Sequence, residues 1–210
     1  MDKEYWKKIY KQQNEESKPS LFAEYIADSV GIEGKKIIEL GCGNGRDAVF
    51  FANQDALVTA VDQCENIIEM LQNKFMKVGD LHFVCDDFTH LGTSDSFDIV
   101  YSRFTLHSIS SEQEDLVLNW AKQHLNSGGH FCIEVRGQKN EIYKVGTPVV
   151  GEPDAFVLND HYRRFINFDN FCIKLQQLGF DICYAAEEKG FAPYNGENET
   201  YIRIIAQKPQ

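Results

Sequence analysis

The run Ile37-Ile38-Glu39-Leu40-Gly41-Cys42-Gly43-Asn44-Gly45-Arg46-Asp47 constrains this chain more than any other stretch. An apolar segment passes straight into glycines at alternate positions, and a helical pattern starts immediately after them. Glycine tolerates positive φ and lets the backbone come close to another group. A helix beginning there presents N–H groups without intrahelical partners, which suits an anionic ligand. A buried strand that turns this tightly into a helix belongs to a sheet covered by helices. The rest of the chain should therefore alternate between the two.

Strands are expected at Lys35–Leu40, Leu57–Val61, Leu81–Cys85, Phe97–Ser102 and His130–Arg136, and helices at Gly45–Asn53, Glu65–Val78 and Ser111–Asn126. This repetition implies a parallel sheet with helices on both faces. Upstream, Ser20 is a good N-cap, Leu21, Phe22, Tyr25 and Ile26 follow at helical spacing, and Gly31 ends that helix. Earlier still, Tyr5, Trp6, Ile9 and Tyr10 share one face of a helical pattern. Residues 137–166 have no clean period and contain Gly137, Gly146, Pro148, Gly151 and Pro153. A stretch this long without an element is uncommon in a compact domain and is often functional, so it is expected to be an insertion covering a site. Phe168–Leu178 is expected as a helix capped by Gly179, and Phe180–Glu188 and Thr200–Ala206 as an antiparallel pair at the sheet edge.

Charge narrows the partners. Lys and Arg total 21 against 32 Asp and Glu, a net charge of −11. Such a surface repels phosphate backbones and anionic lipid, which disfavours nucleic acid and membrane as partners. No apolar run approaches the ~20 residues of a membrane span, and the start of the chain lacks a signal-peptide apolar region. A cytoplasmic location is expected. Cys42, Cys64, Cys85, Cys132, Cys172 and Cys183 form no CxxC pair and are expected as free thiols, with no metal site. Asn198-Glu199-Thr200 matches a glycosylation triplet, which is chance without a secretory route.

The glycine spacing separates two cofactor families. Dinucleotide enzymes place a third glycine where this chain has Arg46. The run Glu39-Leu40-Gly41-Cys42-Gly43-Asn44-Gly45-Arg46-Asp47-Ala48 instead resembles motif I of class I S-adenosylmethionine (SAM) dependent methyltransferases. The resemblance covers roughly residues 35–136, about half the chain. Asp62 ends the second strand, 21 residues after Gly41, where the family places an acid on the ribose hydroxyls. Asp86 and Asp87, with Phe88 beside them, follow the third strand, where the family places an acid near the adenine amino group; the spacing to Leu91 favours Asp87. Phe97–Phe104 looks like the fourth strand with its substrate-facing end, and Gly128-Gly129 like the turn before the fifth.

The resemblance implies a Rossmann-like, doubly wound α/β sheet of order 3-2-1-4-5-7-6 with strand 7 antiparallel. It divides the single domain into a helical cap (1–31), a SAM-binding half (35–136), a lid over the substrate site (137–166) and a C-terminal helix with its strand pair (167–210). It also implies SAM as cofactor, S-adenosylhomocysteine (SAH) as product, and a cofactor set of Glu39, Gly41, Cys42, Gly43, Asn44, Arg46, Asp62, Gln63, Asp86, Asp87, Phe88, Ser102 and Phe104. Glu39 would organise the turn and the methionine ammonium. Asn44 and Arg46 either hold the methionine carboxylate or pair locally. Trp6 and Tyr10 either pack as an ordinary amphipathic helix or lie over the sulfonium, whose charge suits aromatic faces. Cys42 is a small neutral filler.

Basic and aromatic residues recur beyond the carboxyl ends of the strands, where open α/β sheets bind ligands. Arg103 and His107 follow the fourth strand, Arg136 the fifth, and His161-Tyr162-Arg163-Arg164 closes the insertion. On an acidic protein they suggest a local pocket for a small anionic substrate. His107 or His161 would serve as base for a hydroxyl acceptor. For an anionic oxygen no base is needed, and arginines would orient it. The whole chain also resembles, more weakly, small bacterial methyltransferases found with capsule or cell-surface carbohydrate synthesis. That suits O-methylation of a sugar, a phosphate or a phosphoramidate precursor. A non-catalytic SAM-binding subunit, an N- or S-methyltransferase and a nicotinamide dehydrogenase are the alternatives.

Overall fold

The computed structural model describes residues 18–210. Trp6 and Tyr10 lie outside the described residues.

Helix α1 (Leu21–Val30) starts where Ser20 caps it, the hydroxyl accepting from the Ala23 amide at 3.0 Å, and stops at Gly31, φ 75°. The alternation then runs β1 (Lys36–Leu40), α2 (Arg46–Ala52), β2 (Leu57–Asp62), α3 (Glu65–Phe75), β3 (Leu81–Cys85) and β4 (Phe97–Arg103). A short 3-10 turn (Leu106–Ser108) leads into α4 (Ser111–His124), which a Ser110–Gln113 capping box opens. Strand β5 (Leu125–Val135) follows directly. It begins five residues before the expected position because Leu125 already pairs with Phe97, and the ladder shifts register between Phe97 and Ile99 to absorb the glycine pair. Gly129 sits in this tight passage, where a Cβ would lie 2.9 Å from the Asn126 carbonyl oxygen.

The main sheet has the order β3-β2-β1-β4-β5-β10-β9, where β9 is Asp181–Glu188 and β10 is Tyr201–Gln207. The first five strands run parallel, and β10 runs antiparallel to both its neighbours. This is the expected 3-2-1-4-5-7-6 order with the last strand reversed. The order in which the chain adds strands reverses between β1 and β4, which makes the crevice beyond their carboxyl ends the topological switch point.

Both faces of the sheet are covered, so its central strands are buried on alternate sides. Ile37 joins the core under α1, α2 and α3, while Ile38 and Leu40 join the core under α4 and α5 (Phe168–Gln177). Period-two alternation therefore puts Glu39 on the α1–α2 side.

Residues 137–166 are not structureless. They carry a second, three-stranded antiparallel sheet: β6 (Thr147–Val149), β7 (Glu152–Leu158) and β8 (His161–Arg164). Its strands escape a periodicity search because they are short, because Pro148 sits at a register shift, and because consecutive Ala155 and Phe156 are both buried.

Arg164 fastens this small sheet to the main body. Its guanidinium donates to the Ile109 carbonyl at 3.2 Å, to the Leu106 carbonyl at 3.3 Å and to the buried Glu114 carboxylate on α4. Lys174 on α5 bonds the other Glu114 oxygen at 2.6 Å. Arg164 is therefore a tie between elements and not a substrate-facing group as the sequence suggested. Tyr162, on the same face of β8, donates its hydroxyl to Glu152. Replacing Glu114 with Ala strands the Arg164 guanidinium against the core, while Lys174 keeps Asp115 at 2.5 Å; the loss is on the order of 3–5 kcal/mol. The expected result is a large fall in the melting temperature together with faster proteolytic cutting within 137–166, read by calorimetry and limited proteolysis.

Candidate functional site

The glycine turn is built against β2. The Gly41 and Cys42 amides both donate to the Val61 carbonyl at 2.8 Å, and the Gly43 amide donates to Asp62 Oδ2 at 3.0 Å. Asp62 Oδ1 accepts the Cys64 amide at 2.9 Å, so one buried carboxylate holds the turn and the start of α3 together. Gly41 has φ 73°, and a Cβ there would stand 2.4 Å from Thr105 Cγ2. Thr105 is fixed in turn by Ser102, their hydroxyls 2.6 Å apart. Ser102 is fully buried. It was expected to touch cofactor, but it acts behind the turn as support. Burial, with Glu39 and Asp62 nearby, pushes the Cys42 thiol well up, so it stays neutral.

Glu39 reaches the same place from β1. It is buried, it accepts the Ala48 amide at the start of α2, and its Oε2 has no hydrogen-bond partner among the described residues. Burial first, then the charge of Asp47, hold its carboxyl well above the ordinary range. Such a group is calmed by a bound cation. Asp47 itself is fully committed to structure: it accepts the Ser20 amide and hydroxyl, each at 2.7 Å, and the Tyr101 hydroxyl at 2.9 Å. Arg46 leans toward it, 3.8 Å from Oδ1, and the Arg46 amide donates to Asn44 Oδ1 at 3.4 Å.

Beyond β2 and β3 lie the other expected cofactor residues. Gln63 Nε2 is buried without a partner among the described residues. Asp86 Oδ1 accepts the Asp87 amide at 2.8 Å, and Asp87 Oδ1 accepts the Thr89 amide at 2.9 Å and its hydroxyl at 2.8 Å. Both acids are exposed. The Phe88 ring turns away from the two acids into the core under α4 and α5, with its Cε1 edge 3.6 Å from where a Cβ on Gly41 would lie.

The end of β4 bends sharply at Phe104, which has φ 59°, as its amide donates to the Glu134 carbonyl at 2.8 Å. The half-buried Phe104 ring packs against Tyr201 at 4.8 Å and His107 at 5.7 Å, with the Arg103 guanidinium 4.0 Å above it. On its far side the expected basic residues divide into groups. His107 Nδ1 accepts the Arg136 amide at 3.3 Å, so its proton sits on Nε2. Arg136 Nη1 bonds Asn140 Oδ1 at 2.8 Å and Glu199 Oε2 at 2.6 Å. His161 and Arg163 share the other face of β8 from Tyr162 and Arg164. Burial, then the charges of Arg136, His161, Arg163 and Arg164, hold the His107 imidazole well below its usual range. Burial, then Arg163 and Arg136, bring His161 down to about 4.

Arg103 stands apart from this cluster. Its Nε donates to Glu134 Oε1 at 2.9 Å, and Arg203 takes Glu134 Oε2 from the opposite side at 2.7 Å. Glu134, Arg203 and Glu199 are the site's missing acids and bases in a sequence reading. Glu134 left one trace, a lone carboxylate inside the apolar run Phe131-Cys132-Ile133-Glu134-Val135. Arg203 in Ile202-Arg203-Ile204 left the same kind of trace.

Residues 37–129 match the family model of a methyltransferase domain. Cypemycin N-terminal methyltransferase of a Streptomyces species is 31% identical over 112 residues, covering 52% of this chain and 45% of the relative. The matched segment spans less than half the length of the curated relatives. In three dimensions, a SAM-dependent methyltransferase of Methanosarcina mazei superposes with a TM-score of 0.73 at 19% identity, covering 84% of this chain and 93% of that one. The 1,6-didemethyltoxoflavin-N1-methyltransferase of Burkholderia thailandensis, solved with 1,6-didemethyltoxoflavin and SAH, superposes with a TM-score of 0.70 at 19% identity over 90% and 77% of the two chains. The fold is the Rossmann-like methyltransferase fold. No described helix is long and apolar enough to cross a membrane, and no described cluster of His, Cys, Asp and Glu has the make-up of a metal site.

The depressed histidines carry a pH signature. His161 titrates near 4 when folded and near 6.5 when not, so the unfolded chain holds more protons between those values. Their contribution to stability is complete above pH 6.5 and is lost as pH falls toward 4. The melting temperature should drop across that window, and His161→Gln should flatten the drop. Imidazole NMR titration checks the midpoint directly.

Proposed function

We propose that this chain is a SAM-dependent methyltransferase acting on a small anionic acceptor. The observation that carries the cofactor assignment is the buried Glu39 Oε2, without a partner among the described residues, at the lip of the glycine turn. The donor set fits an amino-acid-bearing nucleoside. Glu39 would take the ammonium, Asp62 the ribose hydroxyls, and Asp87 or Asp86 the adenine amino group. The buried Gln63 Nε2, without a partner among the described residues, offers a donor beside them. When bound, SAM supplies an electrophilic methyl on a positively charged sulfur.

The protein's share is alignment and exclusion of water, worth up to ~10 kcal/mol of the barrier. Phe104 and Tyr201 form an aromatic wall at the end of β4 and β10. Arg136 and Arg163 would orient an anionic group of the acceptor. His161, kept neutral by its surroundings, would accept a hydroxyl proton, and His107, whose Nδ1 is taken by the Arg136 amide, would donate its Nε2 proton to an acceptor oxygen. The small sheet of β6, β7 and β8, held at the site by Arg164, would cover the acceptor. The weak resemblance to capsule-associated enzymes and the basic cluster together favour O-methylation of a sugar, phosphate or phosphoramidate precursor of surface polysaccharide, in the cytoplasm. An amine acceptor is the second reading, favoured by the N-methyltransferases among the similar proteins.

Calorimetry with SAH tests the cofactor, and transfer from labelled SAM to a panel of sugar phosphates, phosphoramidates, alcohols and amines tests the acceptor. Asp62→Ala should weaken SAH about ten- to a hundredfold, since it removes charged hydrogen bonds. His161→Ala should slow methyl transfer to a hydroxyl on the order of a hundredfold or more while leaving SAH affinity unchanged. No SAH binding at millimolar concentration defeats the proposal.

A further inference from the structure

Resting on the SAM assignment, the geometry points to Arg103 as the residue that holds the carboxylate of the cofactor's amino acid, with Glu134 as the positioning residue that aims it. Glu39 pairs across the sheet with Tyr101, and Arg103 lies two residues further along β4. Alternation puts Glu39 and Arg103 on the same face, with Cα atoms about 8 Å apart by strand spacing and rise.

Both residues keep hydrogen-bonding capacity that the described residues do not use. Glu39 keeps one buried oxygen without a partner among the described residues. One carboxylate, Glu134, serves two guanidiniums, Arg103 and Arg203, so this buried group carries a surplus of one positive charge. The surplus sits at Arg103. Arg203 is boxed between the rings of Phe22, Tyr25 and Phe191 and gives a further bond to the Phe191 carbonyl at 3.2 Å. Arg103 gives only Nε to Glu134 and stacks on Phe104, so its Nη fork has no partner among the described residues.

Glu39 and Arg103 do not neutralise each other: no ion pair joins them among the described residues. The Ala48 amide holds the first, and Glu134 with Phe104 holds the second. A buried carboxyl and a guanidinium kept apart on one face are the complement of a zwitterion, whose ammonium would hold the carboxyl ionised. An α-amino acid satisfies both, with its ammonium on Glu39 and its carboxylate on the guanidinium fork, which suits a planar oxyanion. Arg46 is the rival. Its guanidinium is more exposed, 31% against 16%, and it leans on Asp47.

The test compares two probes on the full chain by calorimetry. SAH carries the amino acid, and 5′-methylthioadenosine lacks it. Arg103→Met should weaken SAH at least about tenfold while leaving methylthioadenosine within about twofold. Arg103→Lys, which keeps charge without the fork, should recover part of the loss. Glu134→Gln should show the same selective loss, smaller in size, whereas a merely structural role would weaken both probes alike. Equal losses for both probes, or no loss for SAH in Arg103→Met and Arg103→Lys, overturn the inference. So does a selective loss in Arg46→Met with Arg103→Met unaffected. If SAH fails to bind the unaltered chain, the SAM assignment itself falls. If SAH binds and only the selectivity is absent, Arg103 alone is reassigned.

Discussion

The upper edge of the sheet depends on one carboxylate and one carbonyl at the end of β2. Val61 and Asp62 accept three successive turn amides from Gly41, Cys42 and Gly43. A turn with this much positive φ has no ladder of its own, so a neighbouring strand must hold it. Strand β2 does so because it pairs with β1 in parallel register up to Leu40 and Val61. Asp62 would otherwise be a buried charge without compensation. Two backbone donors make it tolerable and at the same time orient it toward the turn.

Charge placement follows from that frame. Near the carboxyl ends the α1–α2 face of the sheet changes from apolar to ionic. Ile37, Ile99 and Cys132 lie low in the core, while Glu39, Arg103, Glu134 and Arg203 lie above them on the same face. Buried ions of this kind add little to stability when paired and subtract much when one partner is missing. Their value is directional. Glu134 fixes two arginines, and each arginine is then shaped further by aromatic rings.

The opposite side of Phe104 works by a different rule. There the groups are histidines crowded by arginines, so protonation is suppressed and the imidazoles remain acceptors. The second sheet brings His161 and Arg163 to that place, and Arg164 and Glu114 keep the sheet there. One strand thus carries both the fastening and the chemistry, on its two faces.

Much of this was written in local sequence. The alternation of strands and helices, the Ser20 cap, the glycine turn and the position of Asp62 depend on neighbours a few residues away, where period and propensity act. The order of the seven strands was legible through a resemblance to a known family. The partners of the site were not legible. Glu134 meets Arg203 across 69 positions, Arg164 meets Glu114 across 50, and Ser20 meets Asp47 across 27. A lone charge in an apolar strand announces that a partner exists, but only the packed sheet brings that partner within hydrogen-bond reach. The same applies to Ser102 and Phe88, whose positions beside the site say nothing of whether they face it. That choice is made by which side of the backbone the core fills, and the core is a property of the folded chain.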